Sequence, residues 1–262
     1  MKTSYPILFI GLSVAMLTAT PASAQTQSKY QIAASQYMPA LVGPAFLTGT
    51  DTASASFSNG YLTNYLNIVK SKLPESVAFT GIGLNQLDAK RLYFQFAYAP
   101  RVYFLYEGAC YQDALGCTIA TVSAPTNKPT SGTPYTLFPK VHCSISPVCA
   151  TGSGIRSASE PLYFGDFVQL PTVQVGQQLA FFVMANLDGT GNPADTWYNG
   201  STNNSDGFQH MIAFFPDNSQ YVIIGFEDMA NGGDQDCNDV MFVVDVGPNN
   251  AAAWRVPSGM PK

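Results

Sequence analysis

Short apolar runs, separated by clusters of Gly, Pro, Asn and Asp, follow one another along most of the chain. Many are rich in aromatic and β-branched residues, which is typical of β-strands. The runs that predict strands are residues 91–96, 102–106, 118–122, 135–141, 179–184, 211–215, 221–226 and 240–246. Strands this short predict an all-β fold over residues 76–247, namely an antiparallel β-sandwich of the jelly-roll-like type.

One segment ahead of the strands has helical periodicity instead. Ser58 is a suitable N-cap and Pro74 predicts the helix end, so a short N-terminal helix is expected over residues 58–75. Its apolar side chains recur three and four positions apart, at Tyr61, Leu62, Tyr65, Leu66 and Val69. Residues 25–57 mix Ala, Ser, Thr, Gln and Pro and predict a loosely ordered N-terminal arm, and residues 248–262 are assigned as a C-terminal tail.

The N-terminus has the features of a secretory signal peptide over residues 1–24. Lys2 supplies a positive charge, residues 7–17 are apolar, and Ala22-Ser23-Ala24 offers small residues for cleavage before Gln25. The apolar run is shorter than the ~20 residues that span a bilayer. We therefore expect a secreted protein of the periplasm, the cell surface or the extracellular space, with no membrane insertion after signal removal.

Charge is scarce and unevenly distributed. Only 11% of residues are charged, with 12 Lys and Arg against 17 Asp and Glu. So few basic residues argue against nucleic acid or an anionic membrane surface as partners. Eight of the acids fall between residues 206 and 245, where no Lys or Arg occurs: Asp206, Asp217, Glu227, Asp228, Asp234, Asp236, Asp239 and Asp245.

The centre of this acidic stretch predicts a metal site. Asp234, Asp236 and Asn238 alternate, so in an extended loop their oxygens point the same way. Gly232 and Gly233 permit a tight turn. Crowded carboxylates repel one another, which favours either protonation or a bound cation, and Ca²⁺ accepts about six to eight such oxygens. The expected Ca²⁺ ligands are Glu227, Asp228, Asp234, Asp236, Asn238 and Asp239. A solvated hairpin turn is the alternative, since Asp, Asn and Gly are common in turns.

Three further residues are candidates for a supporting role. Glu107 follows an apolar strand and is a possible additional metal ligand, or it accepts hydrogen bonds from loop N–H groups. Asp206 and His210 precede a strand that leads to the acidic loop. His210 is a candidate general base or a group that orients a metal ligand, but a packed, hydrogen-bonded structural histidine is the expected role, because Ca²⁺ prefers oxygen to imidazole.

Five cysteines occur after the signal segment, and export makes disulfides chemically permissible. Cys110 and Cys117 are close in sequence, as are Cys143 and Cys149, so each pair is a candidate to close a short loop. Sequence alone leaves every pairing open. Cys237 alternates with acids and is expected to point inward as a small apolar group.

The segment 226–242 resembles the signature of a bacterial family, domain-of-unknown-function family 4114, in which F-E-D precedes G-G-D-x-D-[FY]-N-D and an apolar strand. Residues 73–75, 107–116 and 204–210 are similar to other blocks of that family, so the resemblance spans residues 73–246. It implies an exported bacterial β-sandwich, often attached to larger surface proteins. The acids of the family have been suspected of metal binding or catalysis, and no activity is established for it.

The chain departs from that family pattern at four positions. Cys110 stands in place of a Gly and Cys117 in place of an aromatic residue, which together suggest a Cys110–Cys117 disulfide. Cys237 also replaces an aromatic residue and so removes core volume beside the acidic loop. Asp113 replaces an Asn and adds charge near Glu107.

These features support three hypotheses about function. The first is a calcium-binding or structural module whose exposed loops contact a glycan, the matrix or another surface protein. The second is a secreted hydrolase that acts on glycans through a carboxylate pair, Glu107 with Glu227 or Asp228. The third is an envelope protein with no ligand beyond the ion. The chain has no G-x-S-x-G or H-E-x-x-H motif, so a non-enzymatic role is favoured.

Overall fold

Ten strands form two antiparallel sheets in the computed structural model, which describes residues 31, 35–126, 131–143 and 154–255. The first sheet contains, in spatial order, β1 (Asn85–Gln86), β8 (Met211–Phe215), β9 (Tyr221–Phe226), β10 (Val240–Asp245), β2 (Arg101–Tyr106) and β5 (Phe167–Gln169). The second sheet contains β4 (Thr133–Val141), β3 (Asp113–Thr121), β6 (Gln177–Ala185) and β7 (Asp195–Tyr198). The predicted signal peptide lies outside the described residues.

The main core lies between the two sheets. Phe181 of β6 contacts Phe242 of β10, with ring centroids 4.8 Å apart, and Phe104 of β2 faces Phe138 of β4 at 6.5 Å. Both faces of β6 are buried, which agrees with its unbroken apolar sequence. The predicted strands at 211–215 and 221–226 coincide with β8 and β9.

A helical segment covers the outer face of the first sheet. It consists of α1 (Thr52–Phe57), a π-helical turn (Ser58–Leu62) and α2 (Thr63–Lys72). Phe57 stacks on Tyr103 of β2, with centroids 4.1 Å apart. Within the described part of the chain, no helix is long and apolar enough to cross a bilayer.

The helix starts earlier than the sequence predicts. Its N-cap is Asp51 rather than Ser58, because the Asp51 carboxylate accepts the Ser54 N–H at 2.8 Å and the Ser54 hydroxyl accepts the Asp51 N–H at 3.2 Å. This reciprocal pair stabilises the first turn. Ser58 falls inside the helical segment, and α2 ends at Lys72, just before Pro74 and earlier than the predicted bound at residue 75.

The described parts of the two segments that flank the sandwich contain more regular structure than predicted. In the described part of the N-terminal arm, Leu41 forms a bridge with Thr136 of β4, and Phe46 forms one with Phe167 of β5. The C-terminal tail contains a helix, α3 (Pro248–Arg255), whose Trp254 is buried against the rest of the core. A few large apolar side chains therefore pack these segments against the two sheets, although the composition of the segments is typical of irregular structure.

Residues 91–96 do not form the predicted strand. Arg91 is the last residue of a 3₁₀ turn (Ala89–Arg91), and the residues after it contribute an isolated bridge between Tyr93 and Gln178. Three strands were not predicted, namely β1, β5 and β7, which have two to four residues each. Such short strands carry too few alternating positions to stand out from the surrounding loops.

The predicted Cys110–Cys117 disulfide is wrong. Cys117 has a free thiol, fully buried in the core between the sheets. It lies inside β3, opposite Phe181 of β6, whereas Cys110 is exposed in the preceding loop. The other predicted pairing, Cys143 with Cys149, involves a residue outside the described part of the chain.

Candidate metal centre

The acidic loop, residues 227–239, connects β9 to β10. Because Phe226 pairs with Val240 across these neighbouring strands, the two ends of the loop lie side by side. The loop folds back over β9 at Gly225, where an added Cβ would lie 2.3 Å from the Cys237 carbonyl oxygen. Glycine at this position is therefore a requirement of the loop's close approach to the strand.

The alternation of acids predicted an extended backbone for the loop, but the loop backbone is not extended. Gln235 and Cys237 both adopt left-handed conformations, at φ 66° and 57°. Side chains of the loop support these turns, since the Asn238 N–H donates to Asp236 Oδ1 at 3.0 Å and the Asp236 N–H to Asp234 Oδ1 at 3.5 Å. The predicted ligands consequently diverge into two groups.

The first group, which we call the inner cluster, consists of Glu227, Asp228 and Asp239. Each offers an oxygen within 4.8 Å of the others, and all three residues are buried. The Asp228 N–H donates to Asp239 Oδ2 at 2.8 Å, which ties the start of the loop to its end. Oxygen atoms at this spacing are suitable for a shared cation.

The second group, which we call the outer cluster, consists of Glu75, Asp234 and Asp236, again with oxygens within 4.8 Å of one another. Glu75 and Asp234 are exposed and Asp236 is buried. Asp236 Oδ2 accepts the Ser76 N–H at 2.9 Å, so the outer cluster fastens the loop to the segment after α2. Glu75 was not among the predicted ligands, because it lies far from Asp234 and Asp236 in sequence.

Asn238 is buried and contacts two segments that lie outside the acidic loop. Its Nδ2 donates to the Leu73 carbonyl at 3.1 Å. Its Oδ1 lies against Gly108, only 1.8 Å from where a Cβ would be, so any larger residue at 108 would displace the amide. Asn238 thus holds the loop against both α2 and the end of β2.

The inner cluster is electrostatically unfavourable as three charged groups. Burial raises the pKa of Asp228 and, with repulsion from Asp228, that of Asp239. Burial also raises the pKa of Glu227 to about 7, and repulsion from Asp234 and Asp236 adds to the shift. Glu227 therefore couples the two clusters. Among the described residues, no ion pair with Lys, Arg or His involves the inner cluster.

Several oxygens of the loop lack a donor. Glu227 Oε2, Asp228 Oδ2 and Asn238 Oδ1 are buried and accept no hydrogen bond. A buried carboxylate without donors or a counter-charge costs several kcal/mol (on the order of 1–3 for a neutral group and more when charged). The donor set is all oxygen, which fits Ca²⁺ better than softer metals.

Aromatic and imidazole groups fix the backbone beneath the inner cluster. His210 stacks on Trp197 with centroids 4.0 Å apart and planes 5° from parallel. His210 Nδ1 contacts the Glu227 carbonyl at 2.8 Å and its Nε2 contacts Asp206 Oδ2 at 2.9 Å, while Trp197 Nε1 donates to the Asp228 carbonyl at 2.6 Å. His210 is fully buried, in keeping with the packed, hydrogen-bonded role expected for it.

Glu107 belongs to neither cluster. Its Oε1 contacts His142 Nδ1 at 3.0 Å, and its Oε2 accepts the Cys143 N–H at 3.2 Å. This is the loop-binding role that the sequence left open beside metal ligation. Both oxygens are engaged by other groups, so the geometry does not favour Glu107 as a catalytic partner of Glu227 or Asp228.

Comparison with known proteins identifies one family. Residues 173–247 match the model of the family described as Domain of unknown function (DUF4114), which confirms over this segment the family that the sequence resembles. The acidic loop lies inside the matched residues, whereas the similar blocks at 73–75 and 107–116 lie outside them. No curated protein and no solved structure shows significant similarity to the chain.

Proposed function

We propose that this chain, through its DUF4114-matching segment, is an exported calcium-binding module with a jelly-roll-like β-sandwich fold. The observation that carries the proposal is the pair of buried, donor-free oxygens Glu227 Oε2 and Asp228 Oδ2. A cation beside them would replace the missing donors and remove the repulsion within the inner cluster.

Calcium is the proposed ion because of the number and kind of oxygens. Three carboxylates supply up to six oxygens, and Ca²⁺ takes about six to eight at roughly 2.3–2.6 Å in flexible geometry. Glu227, Asp228 and Asp239 are the proposed primary ligands. Asp234, Asp236 and Asn238 are proposed as the outer part of the same site, which adds negative potential and further oxygens from the exposed side.

The proposed effect of the ion is to hold the acidic loop closed. Such a device operates where calcium is abundant, which agrees with the expected location in the periplasm, at the cell surface or outside the cell. The closed loop and its neighbours would then present a fixed surface to a glycan, the matrix or another surface protein. We propose a binding or structural role rather than catalysis, because Glu107 is engaged by His142 and the Cys143 N–H.

Thermal unfolding of the chain beginning at Gln25, in calcium and in chelator, tests the proposal. A ligand at 100 times its Kd stabilises by ~2.7 kcal/mol, which corresponds to a Tm shift of about 5–10 °C for a domain of this size. Asp239→Asn should abolish most of the shift. Asp245→Asn is the matched control, because Asp245 is a buried aspartate at the far end of β10 with its own donors. A wild-type Tm that is equal in both buffers would reject calcium binding.

A further inference from the structure

A fourth buried carboxylate approaches the inner cluster from the other sheet. Asp113 is the first residue of β3 in the second sheet and is only 1% exposed. Its Oδ1 accepts the Asn186 N–H at 2.9 Å, whereas its Oδ2 accepts no hydrogen bond. The carboxyl groups of Asp113 and Asp228 lie within hydrogen-bonding reach of each other.

Local structure explains why Asp113 faces this way. The pairing of β3 with β4 is irregular between Asp113 and Leu115, and such irregularities redirect side chains at strand ends. Asn186, which immediately follows β6, has a left-handed backbone at φ 53° and turns its N–H toward Asp113. One oxygen of Asp113 is thereby fixed, and the other is left buried without a donor.

Asp228 receives a second contact from the same side. Trp197 of β7 donates its indole N–H to the Asp228 carbonyl at 2.6 Å. Two strands of the second sheet, β3 and β7, therefore converge on one residue of the acidic loop. The carboxyl oxygens Asp113 Oδ2 and Asp228 Oδ2 both lack donors, and two facing carboxylates repel unless a cation or a proton lies between them.

We propose that Asp113 is a ligand of the calcium ion, so that the ion binds both sheets at once rather than closing a loop of the first sheet alone. This inference rests on the proposed calcium-binding function. Four carboxylates contributed by two sheets would make the ion an inter-sheet clamp, and its removal would loosen the contact between the start of β3 and the end of β9. A shared proton between Asp113 and Asp228 is the competing explanation.

Calcium titration calorimetry separates the two explanations. We compare the wild-type chain beginning at Gln25 with Asp113→Asn, Asp113→Leu and the control Asp245→Asn. Loss of one charged ligand is expected to weaken calcium binding about tenfold in Asp113→Asn, and loss of both oxygens should weaken it further in Asp113→Leu. Asp245→Asn should bind like the wild type, because its carboxylate accepts hydrogen bonds from Gln220, Tyr98 and Gly247.

The outcomes of this titration are distinguishable. If wild-type protein binds no calcium, the proposed function fails and the clamp fails with it. If wild-type protein binds calcium and Asp113→Asn binds it with unchanged affinity, the function stands and the clamp is rejected in favour of a shared proton.

Terbium luminescence provides a readout that a purely structural role of Asp113 would not change. Trp197 bonds to the backbone of Asp228, so it should sensitise Tb³⁺ bound in the inner cluster; Trp254→Phe removes the other tryptophan of the chain. Emission lifetimes in H₂O and D₂O count the waters on the ion. Asp113→Asn should keep the sensitised emission and add about one water, since an amide is a weaker ligand than a carboxylate. An unchanged water count overturns the proposal.

Hydrogen exchange on the wild-type protein covers the case in which both variants fail to fold. Calcium should slow exchange at residues 113–115 and 186–187 of the second sheet as well as in the acidic loop. Protection confined to residues 227–239 would show that the ion does not reach the second sheet.

Discussion

Strand β10 has a buried aspartate beside each of its ends, and the fold treats the two differently. At one end, Asp245 accepts hydrogen bonds from the Tyr98 hydroxyl at 3.0 Å, the Gln220 amide at 2.8 and 2.9 Å, and the Gly247 N–H at 3.0 Å. At the other end, Asp239 lies in the inner cluster, where neighbouring carboxylates have oxygens with no donor at all.

The difference shows that burial of acids is not in itself the signature of a metal site. Asp166 repeats the arrangement of Asp245, because it accepts the N–H groups of Thr48 and Tyr163 and pairs with Arg156. A carboxylate with local donors is a structural element of the fold. The inner cluster combines equal burial with missing donors, and that combination is the basis of the proposed cation site.

The largest expected effect on stability is at Asp245, whose carboxylate accepts several hydrogen bonds. Asp245→Ala leaves the Gln220 amide and the Gly247 N–H without their acceptor, so it should lower the free energy of unfolding by about 2–4 kcal/mol. The loss should be the same in calcium and in chelator, as measured by urea unfolding. A calcium-dependent loss would contradict the separation of the two ends.

A change of opposite sign in the free energy of unfolding is expected at Asp228, in the inner cluster. In metal-free buffer, Asp228→Asn removes a charge from a repelling group and supplies an N–H donor, so it should raise the free energy of unfolding by about 1–2 kcal/mol. In calcium the same variant should be less stable than wild type. Equal destabilisation in both buffers would mean that Asp228 is compensated by groups of the protein, as Asp245 is.

A pH series sharpens the comparison further. Burial, followed by repulsion from Asp234 and Asp236, raises the pKa of Glu227 to about 7, above the value of ~4.3 for an unfolded chain. The folded state then binds more protons than the unfolded state, so stability in metal-free buffer should fall as pH rises from about 4.5 to 7, by on the order of 1 kcal/mol. Calcium should flatten this slope. Stability that rises with pH over this window in metal-free buffer would contradict the raised pKa.

The smallest effect on calcium binding is expected at the exposed part of the outer cluster. Glu75 is exposed, so Glu75→Gln should reduce calcium affinity by less than about threefold, since exposed charges interact through water. Calorimetry of this variant and of Asp239→Asn compares how much the outer and inner clusters contribute to calcium affinity. A loss at Glu75 equal to that at Asp239 would move the centre of the site to the outer cluster.

The sequence predicted the central strands well, because their apolar runs are long and sharply bounded. β8 and β9 begin and end where the runs begin and end. The edge strands β5 and β7 could not be predicted in the same way, since they have only three and four residues. In addition, β5 pairs with β2, which is far away in sequence. The same applies to the arm, where single residues such as Phe46 make the contacts.

The acidic loop was found from its charge, but its internal geometry was not. Left-handed backbone at Gln235 and Cys237 breaks the assumed alternation and divides the acids into two clusters. Glu75 and Asp113 approach the loop from more than a hundred residues away in sequence. No local pattern marks either residue, and only the packing of the helical segment and the second sheet brings them there.

The buried thiols of Cys117 and Cys237 can report on the opening of two different parts of the fold. Burial raises the pKa of both thiols above the usual range, so in the folded state neither should react readily with maleimides. Cys237 lines a surface cavity of about 480 Å³ beside the acidic loop, whereas Cys117 lies at the centre of the core. Peptide mapping after timed alkylation would thus record the opening of the loop and the separation of the sheets as two distinct events in one sample.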